Sequence, residues 1–294
     1  MHTPSSRETT LSVADGRDSE TDVTVRYLTA GSGPPVVLLH GIGLDAAAVS
    51  WKHILPELAR ERTVYALDLP GHGESEKPRD GYTTAYFQRV LAAFLADQDV
   101  EDAPLVGVSM GGAVALGHAL DGGNPERLVL LDSYGLGGDA YWRPAATTAL
   151  WMPGVGNHLW SAVGSSKTAV RSSLSSMTGA TPSEPFVDDV FEAVQDPDVV
   201  RTMRKWQRSE FRANGLKTDY SSRLGELSQP TLLVHGADDP LIPPAWSRRA
   251  HDALPRSDLA LVEDCGHWPT REHPEKVTGL LTEFLNGERR QASD

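Results

Sequence analysis

The chain has 294 residues, 39% of them hydrophobic and 7% aromatic, enough apolar material to bury a sizeable core and to exclude global disorder. Forty acidic against 27 basic residues give a net charge of −13, which argues against nucleic acid or an anionic membrane as partner. With one cysteine, Cys265, no intrachain disulfide is possible.

In chain order, residues 1 to about 20 are polar and are expected to fray, as is the tail from Gly287 to Asp294. The first residues hold no apolar stretch suited to a signal peptide, and no run of 18 apolar residues occurs anywhere. A cytoplasmic location is therefore expected, and the acidic surface would suit a salty cytoplasm. Val23-Thr24-Val25-Arg26-Tyr27-Leu28 alternates as a strand, and Gly31 to Pro35 reads as a turn. Val36-Val37-Leu38-Leu39 is apolar throughout, as expected of a parallel strand covered on both faces. A helix is predicted from about Trp51 to Arg60, a strand over Thr63–Leu67 and an amphipathic helix over 84–97.

Ala103-Pro104-Leu105-Val106 predicts a short buried strand, and a small-residue helix follows from Gly112 to Leu120. Between them lies Gly107-Val108-Ser109-Met110-Gly111. A serine on so tight a turn demands strained backbone angles, and side chains two residues away would strike neighbouring elements. The helix beyond it aims its first amides at the serine, where negative charge would develop during acyl transfer. Further strands are predicted at Leu128–Leu131, Thr231–Val234 and Asp258–Val262, with a last helix from Pro274 to Leu285. Strands alternating with helices predict an α/β fold with a doubly wound, mostly parallel sheet. Residues 136–224 break the rhythm with helical stretches and Trp142, Trp151, Met152, Trp160 and Trp206. They are read as a helical cap inserted into a core formed by residues 1–135 and 225–294.

The turn around Ser109 resembles the nucleophile elbow of the α/β-hydrolase superfamily, whose triad runs in the order Ser, acid, His. The rest of the chain is similar to that family in the same order from about residue 23 to 286. The family's base maps to His267 in Asp264-Cys265-Gly266-His267-Trp268, with Gly266 letting the chain turn back. Its acid maps to Asp239 in His235-Gly236-Ala237-Asp238-Asp239-Pro240, with Asp238 as a solvated neighbour. Asp132, after Leu128–Leu131, is a third option, since some relatives carry their acid there. The resemblance implies an oxyanion hole from the backbone amides of Met110 and Ile42, the latter in His40-Gly41-Ile42-Gly43. His40 and His72 are read as structural, and Cys265 as a small strand-end hydrophobe.

Trp268, Leu44, Val108, Trp142 and Trp206 are candidate walls of a substrate pocket. The expected activity is serine-dependent hydrolysis of a small or medium apolar carboxylic ester, without metal or organic cofactor. Ser109 argues against the haloalkane dehalogenase and epoxide hydrolase branches, which carry Asp as nucleophile. C–C bond hydrolysis of aromatic ring-fission products is the second reading, because Gly266-His267-Trp268 and Ser109-Met110-Gly111-Gly112 look like those enzymes. Against it, they typically carry Asn where Val108 stands and a more Gly-rich turn than Gly41–Leu44. A hydrolase fold used only for binding is the reading of another class.

Overall fold

Strands that are apolar along their whole length need cover on both faces, and the chain supplies it with helices on either side. The computed structural model describes residues 3–14, 20–140, 143–151, 162–212 and 215–287. Its main sheet has eight strands: β1 (Ser5–Ala14), β2 (Glu20–Ala30), β3 (Pro35–Leu39), β4 (Thr63–Leu67), β5 (Leu105–Val108), β6 (Leu128–Leu131), β9 (Thr231–Gly236) and β10 (Ser257–Val262). They lie in the order β1-β2-β4-β3-β5-β6-β9-β10. The β1–β2 and β2–β4 pairs are antiparallel and the other five are parallel. Strands β7 (Phe211–Arg212) and β8 (Gly215–Leu216) form a separate small pair.

Alternation along the parallel strands divides the core in two. Val37, Leu39 and Leu105 face one cluster with Phe87, Leu91 and Phe94, while Val36, Leu38 and Val106 face another with Trp51, Leu281 and Phe284. The helix Thr84–Asp97 shows why its sequence folds so. Thr83 caps it by accepting the Tyr86 amide at 3.0 Å, and Phe87, Val90, Leu91 and Phe94 recur at helical spacing on the buried face.

Two sequence expectations are corrected. The first twenty residues do not fray as a block, because β1 pairs with β2 from Ser5 opposite Thr29 to Ala14 opposite Glu20. Leu11 and Val13 alternate with polar residues and are buried in the core, a short period-two signal hidden in a polar stretch. The predicted helix from Trp51 to Arg60 is instead two short helices, Ala47–Ser50 and Leu55–Leu58. Pro56 cannot continue a helix from the preceding turn, but it fits the first turn of a new one. The strand before Ser109 also begins two residues later than expected, at Leu105.

Between β6 and β9 the described chain forms helices Arg143–Trp151, Lys167–Ser175, Glu184–Ala193 and Pro197–Glu210. Trp142, Met152 and Trp160 lie outside the described residues. Helices 167–175 and 184–193 pack Val170, Leu174, Phe186 and Val190 onto Leu44, Val49 and Trp268. Phe186 meets Trp268 edge-on at 5.1 Å between ring centres, a geometry worth about 0.5–1.5 kcal/mol beyond area burial. Asp189 adds ion pairs to Lys52 and Arg271. Among the described residues, no helix is long and apolar enough to cross a membrane.

Candidate active site

Ser109 sits between β5 and the helix Met110–Leu120 with φ 52° and ψ −117°. A non-glycine residue holds such angles only when its surroundings impose them. Here its N–H donates to the Leu131 carbonyl at 2.9 Å, and its carbonyl accepts the Tyr134 amide at 3.0 Å. The flanking glycines permit the close approach the turn needs. A Cβ on Gly107 would lie 2.3 Å from the Gly111 carbonyl oxygen, and one on Gly111 would lie 2.3 Å from the Leu39 carbonyl oxygen.

His267 follows β10, where its backbone N–H donates to Met177 at 2.8 Å. A Cβ on Gly266 would lie 2.3 Å from that same Met177 carbonyl oxygen, so the chain turns there only without a side chain. The imidazole bridges two groups: Nε2 lies 3.1 Å from Ser109 Oγ, and Nδ1 lies 2.7 Å from Asp239 Oδ2. The other oxygen, Asp239 Oδ1, accepts the amides of Leu241 at 2.7 Å and Ile242 at 3.0 Å. Burial opposes charge on both partners. Their mutual attraction outweighs it, so the Asp239 carboxyl is held below its ordinary pKa and the His267 ring above its own.

The neighbouring carboxylates stand elsewhere. Asp238 is exposed. Asp132 is fully buried behind Asp239, accepts the Gly236 amide at 2.8 Å and lies 3.5 Å from His235 Nε2. Burial raises its pKa well above the ordinary range, against the pull of His235. Asp132, His235 and Asp239 bring one ligand atom each within 4.8 Å of one another. His235 Nε2 faces the Ile242 carbonyl at 3.0 Å, Asp239 Oδ2 faces His267, and Asp132 Oδ1 accepts the Gly236 amide, while Asp132 Oδ2 is buried without a hydrogen-bond partner among the described residues. The three groups form a buried polar cluster that includes the carboxylate partner of His267.

The turn after β3 lies beside the serine, since a Cβ on Gly41 would be 3.4 Å from Ser109 Cβ. Two buried histidines hold this turn. The Leu69 amide donates to His40 Nε2 at 2.9 Å, so His40 carries its proton on Nδ1 and donates it to the Gly41 carbonyl at 2.6 Å. The Gly43 amide likewise donates to His72 Nε2 at 3.1 Å. Burial holds the His72 pKa well below normal, keeping that ring a neutral acceptor. Among the described residues, the Ile42 and Met110 amides have no acceptor.

A cavity of about 260 Å³ opens over Ser109 and His267. Leu44, Val108, Trp206 and Trp268 line it, as does Ile42. Asp45, Tyr134, Met177, Met203, Gln207 and Phe211 also line it and escaped the sequence reading. Met203, Trp206 and Gln207 share one face of the helix Pro197–Glu210, a spacing visible in the sequence but equally that of a buried core stripe. Trp206 donates from Nε1 to Thr84 Oγ1 at 3.2 Å, and Tyr134 donates to the buried Glu210 at 3.3 Å. Cys265 is fully buried, and that burial pushes its thiol pKa far up, leaving it chemically quiet.

A strained serine bridged through histidine to a buried carboxylate, at the carboxyl edge of a mostly parallel sheet, is the arrangement of an α/β-hydrolase. The model of the alpha/beta hydrolase family matches residues 36–280, and the chain belongs to that family. It is 32% identical over 271 residues to the 2-hydroxy-6-oxo-6-(2'-aminophenyl)hexa-2,4-dienoic acid hydrolase of Metapseudomonas resinovorans, covering 90% of this chain and 88% of that one. The solved structure of 2-hydroxy-6-oxo-6-phenylhexa-2,4-dienoate hydrolase from Rhodococcus sp. strain RHA1 superposes with a TM-score of 0.74 at 26% identity, covering 97% of this chain and all of that one. An esterase from Rhodococcus sp. ECU1013 shares the fold, with a TM-score of 0.75 at 23% identity over 96% of this chain and 99% of that one.

Proposed function

We propose that this chain is a serine hydrolase that cleaves the carboxylic ester of a small or medium apolar substrate. The observation that carries this reading is the imidazole of His267 within hydrogen-bond reach of both Ser109 Oγ and Asp239 Oδ2. His267 Nε2 takes the Ser109 proton as Oγ attacks the ester carbonyl. Asp239 holds the Nδ1–H tautomer and balances the imidazolium that forms. The carbonyl oxygen becomes an oxyanion held by the Ile42 and Met110 amides. Collapse expels the alkoxide, which takes the proton from His267 as the alcohol. Water, deprotonated by the same ring, then attacks the acyl-serine and releases the acid.

Residues 136–224 act as a cap that closes the cavity and shapes its specificity. Among the described lining residues there is no lysine or arginine, and Asp45 lines the same cavity as the serine. That lining favours an uncharged acyl group over an anionic one. Replacing Ser109 with Ala is expected to abolish turnover of short p-nitrophenyl esters and covalent labelling by a fluorophosphonate, with the fold retained. A folded protein whose Ser109 never reacts with the fluorophosphonate would instead be a binding protein.

C–C bond hydrolysis of a ring-fission product is the second reading, favoured by the relatives whose names are dienoic acid and dienoate hydrolases. The same three side chains would serve it. Turnover of a 2-hydroxy-6-oxohexa-2,4-dienoate faster than of any ester in a panel of acyl lengths would establish it over ester cleavage.

A further inference from the structure

The turn that carries Ile42 is held not only by its two histidines but by a carboxylate the mechanism above does not use. Asp45 is buried, 4% exposed, and lines the cavity. Its Oδ2 accepts the Gly41 amide at 2.7 Å and the Ser50 hydroxyl at 2.6 Å, while Oδ1 accepts the Ala46 amide at 2.8 Å. The Ser50 oxygen in turn accepts the indole N–H of Trp268 at 3.0 Å. Every partner of the Asp45 carboxylate is therefore a donor, as an ionised acceptor requires.

Consider what these bonds do to two successive peptide units. Asp45 fixes the His40–Gly41 unit by its N–H. His40 fixes the Gly41–Ile42 unit by its carbonyl oxygen, and the opposite end of that unit is the unoccupied Ile42 N–H. We propose that Asp45 is a positioning residue for the oxyanion donor, and that Ser50 links it to Trp268, so that the wall beside the base and the oxyanion turn are held as one unit. This rests on the reading of Ile42 as an oxyanion donor. A donor set in place before reaction stabilises charge that develops in the transition state, not the bound substrate. Loss of Asp45 should therefore appear in kcat and spare KM.

The test compares Asp45→Ala, Asp45→Asn, Ser50→Ala and Trp268→Phe on a short p-nitrophenyl ester, with a methyl trifluoromethyl ketone as probe of the oxyanion site. Asp45→Ala is expected to lower kcat by about tenfold to a hundredfold with KM little changed, a fraction of the 10²–10³ that loss of a whole oxyanion donor costs. Its ketone inhibition constant should rise in parallel. Asp45→Asn should recover part of the loss, because one amide oxygen can still take Gly41 N–H and Ser50 while the NH₂ group turns toward Ala46. Ser50→Ala and Trp268→Phe should each give a smaller fall in kcat that does not add to that of Asp45→Ala. If Asp45→Ala fails to fold, these two variants decide the matter by the same two readouts. A folded Asp45→Ala enzyme with kcat within about twofold of the original, or a loss confined to KM, would overturn the proposal. Failure of the underlying reading looks different: the unaltered enzyme would then be neither labelled by fluorophosphonate nor inhibited by the ketone.

Discussion

Replacing Asp239 with Asn changes one atom, and the structure dictates which way the new side chain turns. Asp239 Oδ1 accepts two backbone amides, from Leu241 and Ile242. An NH₂ group there would set a donor against two donors, so the asparagine oxygen stays and the NH₂ faces His267 Nδ1. That nitrogen must then accept, and the ring proton moves to Nε2, which points at Ser109 Oγ 3.1 Å away. A protonated Nε2 cannot take the serine proton. The same tautomer error costs about 10⁴ in kcat in the serine protease template, or about 5.4 kcal/mol of barrier at 1.36 kcal/mol per tenfold. Asp132 should not rescue the variant from where it stands, since its Oδ1 lies against His235 and the Gly236 amide and its Oδ2, though unpartnered, is not paired with His267. The assay is steady-state hydrolysis of a p-nitrophenyl ester, with circular dichroism to show that the fold persists. A folded Asp239→Asn protein keeping more than about a tenth of wild-type kcat would refute the tautomer argument and with it the role of Asp239.

Other outcomes follow from the same contacts. Because Asp239 holds the His267 ring above its ordinary value and only the neutral ring is a base, kcat/KM should rise with pH to a midpoint above about 6.5; a midpoint below that value would contradict the ion pair. Asp239 has a depressed pKa, so the stability it contributes is present above its unfolded value of about 3.9 and is lost as pH falls through the folded one. Denaturant unfolding of wild type and Asp239→Asn at several pH values should therefore differ less as the solution becomes more acidic. Gly266→Ala drives a Cβ into the backbone of Met177 and Thr178 and should cost about 1–3 kcal/mol by overpacking, read as a lowered Tm together with lost activity; a variant with unchanged Tm would show that the segment 177–179 yields freely. Iodoacetamide should leave the native enzyme active, since Cys265 is buried and its thiol pKa raised; rapid stoichiometric alkylation would disprove that.

Where the signal is local, sequence and structure agree closely. Thr63–Leu67, Thr84–Asp97, Leu128–Leu131 and Pro274–Leu285 have the bounds that periodicity and capping predict. The strand at Ser5–Ala14 was obscured because only Leu11 and Val13 carry its alternation, and its stability comes from pairing with β2. Among the site residues, the serine turn is legible because glycines and a serine in that order answer a steric demand within five residues.

The sequence by itself determined the parallel strands, their alternation with helices and the order in which serine, acid and histidine arrive, because backbone geometry and hydrophobic period are written in near neighbours. Only the tertiary structure decided which carboxylate meets His267, how His40, His72 and Asp45 hold the turn beside Ser109, and which faces of the inserted helices look into the cavity. Trp268 reaches Ser50 across 218 positions of chain. Contacts of that kind depend on how packed layers meet, and no local pattern encodes the meeting.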